Sequence, residues 1–321
     1  MLNSEGRKLR KGFVPSTRHV LIGLAFTAIL LTASACAVRH TTTIAASQVP
    51  PPAREASTGE LVDRVNTQSA AVRTLNATVD LAPTAGSIYS GVIKEYRDVK
   101  GFILVEKPAM IRMIGQAPVV RTNIFDMVSD GDEFRLYLPS KQKFIVGKTT
   151  FHRLAKNALE SLRPQHILDA LLLAPIDPAR DVYYPQQDEG SAGQRFYILN
   201  ILEAQPAGER GELTLKRRVW FDGATLDIVR VQFYGPQGSR LEDAGYSEYQ
   251  DFDGVHYPTR IRVERPVEDY RLSITILKAA FNQPIDRDKF ELKKPASAER
   301  VVLSERHEGE DAAPVEAGHG Q

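Results

Sequence analysis

One thiol and seven imidazoles are the side chains here best suited to covalent or metal chemistry, and their spacing decides what they can do. His19 and His40 lie in the first 40 residues, and His307 and His319 lie near the C-terminus. His152, His166 and His256 remain. His152 and His166 flank an apolar segment 14 residues apart, which matches no common zinc spacing. No glycine-rich phosphate loop and no paired-histidine helix motif occurs. Asp126, Asp130 and Asp132 form an acidic group, but Gly131 between two acids fits a hairpin turn, and EF-hand spacing is absent. Lys216-Arg217-Arg218 reads as a solvated sheet face or edge guard rather than a lipid-phosphate patch. These residues predict no catalytic site, no metal and no cofactor.

The thiol is different. Cys36 follows an apolar run at residues 20–35, in the context Ala33-Ser34-Ala35-Cys36. Upstream, Arg7, Lys8, Arg10, Lys11 and Arg18 face one acid, Glu5. A basic stretch, a short apolar stretch and a small-residue cleavage site make a secretory signal. The run of about 16 residues is shorter than the roughly 18–20 that a spanning helix needs. A plain secretory signal or a single-span anchor is the other reading. A cysteine directly after the site resembles a bacterial lipobox, with Ala33 where leucine is usual. In a lipobox the chain is cut before the cysteine and the thiol is diacylated. The mature chain then begins at lipidated Cys36, and Ala37, where aspartate would retain it at the inner membrane, directs it to the outer one.

Lys and Arg total 41 against 40 Asp and Glu, and loss of residues 1–35 leaves 36 against 39. That balance offers no nucleic-acid footprint. The mature chain has no second thiol, so a packed core must carry its stability. Residues 36–56 read as a tether, with Thr41-Thr42-Thr43 and the stiffening run Pro50-Pro51-Pro52. Residues 296–321 read as a flexible polar tail, and residues 57–295 as one domain.

Ser57 and Glu60 make a capping-box pattern, so a helix begins at Ser57. Leu61, Val65, Val72 and Leu75 mark its buried stripe. The period then falls to two, and strands are predicted at 78–81, 89–97, 101–106, 109–115, 124–129 and 133–138. Asp130-Gly131 predicts a type I′ hairpin turn. A helical interlude carries Leu154, Leu159 and Leu162, and Pro164 opens a second piece with Ile167, Leu168 and Leu171. Strands resume at 195–203, 212–221, 225–234, 244–251, 257–263 and 269–279, and a short turn at 284–290 closes the domain. The fold class is mainly β (α+β). It is a strongly curved antiparallel half-barrel of about 10–11 strands with a helical lid or plug on its concave face.

From Glu60 to Pro295 this layout resembles the lipoprotein carrier and receptor family of the Lol pathway, the LolA- and LolB-like half-barrels. The likeness rests on Leu61-Val62-Asp63-Arg64-Val65 running into Leu75-Asn76-Ala77-Thr78-Val79, and on Gly101-Phe102-Ile103-Leu104-Val105-Glu106-Lys107-Pro108. Val128-Ser129-Asp130-Gly131, Gly254-Val255-His256-Tyr257-Pro258-Thr259-Arg260-Ile261 and Asp286-Arg287-Asp288-Lys289-Phe290 complete it. The resemblance implies an unclosed barrel with a helical lid over an apolar cavity that takes acyl chains. Ile103, Ile111, Met113, Phe134 and Leu136 would line that cavity, and Leu154, Leu159, Leu162, Ile167, Leu168 and Leu171 would cover it. The lid residues read equally as plain core. The residues single out no counterpart of the family's lid-locking arginine. Val99 is the positional candidate for its projecting apolar residue.

The expected function is therefore non-catalytic. An outer-membrane lipoprotein, anchored through Cys36 at the periplasmic face, binds acyl chains or lipoproteins, with a periplasmic carrier as a candidate partner and no direction of transfer assigned. The alternatives are an envelope sensing or protein-docking module, and a structural lipoprotein on the same scaffold.

Overall fold

The computed structural model describes residues 51–85, 94–95, 99–149, 164–191, 193–204, 213–235 and 237–303, all within the unit Pro50–Gln321. The signal segment with Cys36, the tether up to Pro50, the interlude with His152, Leu154, Leu159 and Leu162, and residues 304–321 lie outside them.

Helix α1 (Thr58–Ala71) starts where its cap predicts: the Ser57 hydroxyl accepts from the Glu60 amide at 3.2 Å. Leu61 and Val65 are fully buried, but the stripe expected to reach Leu75 ends early. Val72 is already extended, and Leu75 enters the first strand, where β-branched and aromatic neighbours favour the sheet.

The first half of the sheet is β1 (Thr74–Ala85), β2 (Lys94–Glu95), β3 (Val99–Glu106), β4 (Met110–Gln116), β5 (Asn123–Ser129), β6 (Glu133–Leu138) and β7 (Lys143–Lys148). Helix α2 (Pro164–Leu171) follows. The second half is β8 (Asp181–Glu189), β9 (Arg195–Ala204), β10 (Leu213–Asp222), β11 (Ile228–Tyr234), β12 (Arg240–Phe252), β13 (Val255–Arg265) and β14 (Tyr270–Phe281). A last strand, β15 (Glu299–Leu303), adds to β7 in parallel.

The strand order is β15-β7-β6-β5-β4-β3-β1-β14-β13-β12-β11-β10-β9-β8, with β2 on the end of β1. Two meanders thus meet at the β1–β14 pair, and every pairing but β15–β7 is antiparallel. The order does not return on itself, so the sheet is open. Its path holds 14 strands rather than the expected 10–11. The additional strands explain themselves. β7 buries Phe144 to Gly147 in a row and so shows no alternation, β8 is an edge strand with no buried face and carries Pro185, and β15 is short and mostly exposed. β15 places residues 299–303, expected to belong to the flexible tail, on the β7 edge.

The sheet curls around its helices. α2 contacts β4, β5 and β13. In the strand order β4 and β13 are four steps apart, about 19 Å on a flat sheet, nearly twice a helix's width. Register shifts between Thr78 and Val79, Gly115 and Gln116, Leu215 and Arg217, and Phe233 and Tyr234 supply bends. Gly115 leaves the space that the Phe125 ring occupies, since a Cβ there would lie 2.3 Å from it.

The turns divide. Asp253 and Gly254 take φ of 49° and 87°, the two-residue I′ geometry. At Asp130-Gly131 only the glycine has positive φ, and the loop has three residues. There the Asp130 carboxylate accepts from the amides of Asp132 and Glu133 at 3.0 and 2.9 Å.

Candidate binding site beneath the second helix

Alternation along β3, β4 and β6 turns Ile103, Ile111, Met113, Phe134 and Leu136 to the concave face, where none is more than 1% exposed. The same period that makes the strands thus makes an apolar floor. From the other side α2 buries Ile167, Leu168, Ala170 and Leu171. One continuous core joins the floor, α2, and Leu61 and Val65 of α1. The structure therefore brings together every described member of the expected cavity and lid. Leu154, Leu159 and Leu162 lie outside the described residues.

What fastens α2 is polar. The Tyr246 hydroxyl donates to the Ala170 carbonyl at 3.0 Å, and the Tyr257 hydroxyl to that of Leu171 at 2.6 Å. Arg217 donates from Nη1 to the Ala174 carbonyl at 2.7 Å and from Nη2 to that of Pro175 at 2.9 Å. From α1, the Asn66 side-chain amide accepts from the Ile176 amide at 2.8 Å and donates to its carbonyl at 3.2 Å. The last carbonyls of a helix lack intrahelical donors, so Tyr246 and Tyr257 satisfy the buried Ala170 and Leu171 carbonyls, while Arg217 and Asn66 tie down the segment that follows.

Arg217 corrects the solvated reading of the Lys216-Arg217-Arg218 run: it is 4% exposed. Residues 217, 219 and 221 share the inward face, and Val219 and Phe221 in that alternation are the signal that places Arg217 inside. Burial pulls its guanidinium below the usual arginine range, and Asp181, Tyr246 and Asp169 oppose that pull. Burial also drives the Tyr246 and Tyr257 hydroxyls far above the usual phenol range, so both stay donors.

A charged cluster lies beside this fastening. Arg265 donates to Glu242 at 3.3 Å and to Glu268 at 2.6 Å. Desolvation pushes Glu242 up to about 8 against the pull of Arg265, which makes it a proton-bearing group at neutral pH. Asp169, on α2, is also raised by burial, while Gln165 donates to it at 2.7 Å. Sequence reading missed the Arg265–Glu242 pair because an acid and an arginine on separate strands, 23 residues apart, carry no local pattern that pairs them.

The other candidates resolve structurally. Asp126 takes a two-point contact from Arg112, at 3.1 and 2.8 Å, so the acidic trio splits between an ion pair and a turn. His256 bridges Asp251 at 3.1 Å and Asp227 at 3.2 Å and stacks on Tyr249, while Gln68 of α1 donates to its carbonyl. It thereby pins α1 to the β12–β13 hairpin. Among the described residues, no three His, Cys, Asp or Glu side chains converge to hold a metal, and no helix is long and apolar enough to cross a membrane. A polar cleft of about 630 Å³ lies beside β8 and β9, lined by Arg54, Asp188, Glu189 and Arg195, and does not involve the apolar floor. Val99 does not project: it is 2% exposed, whereas Val119 and Val120 in the β4–β5 turn are 89% and 68% exposed.

No protein-family model and no curated protein matches the chain. Among solved structures it is similar to a DUF1329 family protein from Desulfovibrio piger, at 18% identity over 72% of this chain and 94% of that one, with a TM-score of 0.47. It is also similar to a LolA superfamily protein from Nitrosomonas europaea, at 13% identity over 71% of this chain and 96% of that one, with a TM-score of 0.43.

Proposed function

We propose that this protein is a lipid-anchored lipoprotein of the bacterial outer membrane that holds acyl chains, or the acylated ends of lipoproteins, in the concave face of its half-barrel. The segment from Pro164 to Ile176 is the lid, and Arg217 is its locking arginine. The observation that carries this reading is the way α2 is held: an apolar face over an apolar floor, fastened by six side-chain hydrogen bonds to backbone groups. Such a closure is reversible. Ile167, Leu168 and Leu171 each contribute roughly 1.5–3 kcal/mol of burial, while an acyl chain recovers about 0.8 kcal/mol per CH₂. A chain of ordinary length therefore competes with the lid on near-equal terms, and binding and release need no covalent chemistry. The exposed Val119-Val120 tip would meet a lipid or an acylated partner first.

The near-zero exposure of Ile103, Met113 and Phe134 favours a second reading, in which the helices fill the barrel permanently and the protein is structural. Mass spectrometry of lipids retained by the purified full-length chain separates the two beyond its own Cys36 acylation. Bound acyl lipid at a fixed ratio to protein supports the carrier reading; protein free of lipid after mild extraction contradicts it.

A further inference from the structure

We infer that the four donors now fastening the lid, Arg217 Nη1 and Nη2 and the hydroxyls of Tyr246 and Tyr257, are the recognition site for the acyl carbonyl oxygens of the ligand. The ligand class is then a molecule with several ester- or amide-linked acyl chains, rather than a bare hydrocarbon or a free fatty acid. This inference rests on the lid reading above and goes beyond it to the ligand's linkage chemistry.

The geometry is specific. The donors come from β10, β12 and β13 and converge on four carbonyl oxygens, those of Ala170, Leu171, Ala174 and Pro175, at 2.6–3.0 Å. All three side chains are buried, at 4%, 7% and 3% exposure. When the lid lifts, all four donors lose their acceptors together. A buried donor left unmade costs about 1–3 kcal/mol. Hydrocarbon cannot restore these bonds. A carbonyl oxygen of an ester or amide can, because it is the same sp² acceptor as the backbone oxygen it replaces. A diacyl or triacyl head offers two or three such oxygens in one ligand, as the lid offers two adjacent pairs, Ala170 with Leu171 and Ala174 with Pro175. The chains would then extend over Ile103, Ile111 and Met113 of β3 and β4.

An anionic headgroup fits less well. Asp181 and Asp169 act electrostatically on Arg217, and Arg265 pairs with Glu268 at 2.6 Å. Neighbouring acids thus disfavour a further anion beside these donors.

The experiment compares 1,2-dioctanoylglycerol with its diether counterpart, 1,2-dioctylglycerol, which has the same chains and no carbonyls. Each displaces the fluorophore 1-N-phenylnaphthylamine from the full-length chain held in amphipol. The diester should bind about tenfold or more tighter than the diether, the effect of one or two net hydrogen bonds. Tyr257→Phe removes a single oxygen and should lower that ratio several-fold, and Arg217→Met should lower it further. Equal binding of diester and diether by the unaltered chain overturns the inference and leaves lipid binding standing. If neither lipid displaces the fluorophore, the lid reading fails and this inference with it.

Discussion

Glu242 is 2% exposed and 3.3 Å from Arg265, and its protonation couples the charged cluster to stability. Its folded-state pKa, raised to about 8, stands above the ordinary 4.5, so the folded chain holds a proton that the unfolded chain releases. Stability is unaffected by this group below about 4.5, falls as pH rises towards 8, and levels off above it. The slope reaches about 1.4 kcal/mol per pH unit inside that window. Glu242→Gln keeps a neutral side chain of the same shape, so the fall should be visibly shallower in the variant. Chemical unfolding of both proteins at a series of pH values checks this; parallel curves across the window would show that Glu242 is not the coupled group. Arg217 is the counterpart case. Its identity gave it a surface reading, while its place in the alternation with Val219 and Phe221 put it inside. For a charged residue in a strand, register outweighs charge.

Elements with one buried face were legible. β6 is found where Phe134, Leu136 and Leu138 alternate with Glu133, Arg135 and Tyr137, and α1 starts at the Ser57 cap. Elements without that contrast were not. β8 is exposed along nearly its whole length, so no periodicity betrays it, and β15 is defined by the β7 edge it joins. The burial of Ile103, Ile111, Met113, Phe134 and Leu136 was legible because apolar alternation points them one way. The fastening was not, because Asn66, Arg217, Tyr246 and Tyr257 come from four elements. They meet only once the sheet has curled and brought β12 and β13 against the C-terminal end of α2 and β10 against the segment after it.

At the scale of the whole molecule, a curled open sheet holds a helix in its concavity, and the proposed anchor is Cys36. One acyl chain binds a membrane marginally, whereas two or three hold firmly. Cys36→Ala should therefore release the protein from the outer-membrane fraction, as soluble or uncleaved chain, in cell fractionation; an alanine variant that stays in that fraction would contradict the anchor. The central claim is that α2 can leave the concave face without unfolding the sheet, and Leu168 tests it most directly. Leu168 is 2% exposed on the buried side of α2. Leu168→Asn removes roughly 1.5–3 kcal/mol of apolar burial from the closed state, which shifts the closed–open balance by about tenfold or more. Binding of 1-N-phenylnaphthylamine to the full-length variant, measured well below its melting temperature, should tighten accordingly. A folded variant that binds the fluorophore no better than the unaltered chain, and has only lost thermal stability, would contradict the account and mark α2 as permanent core.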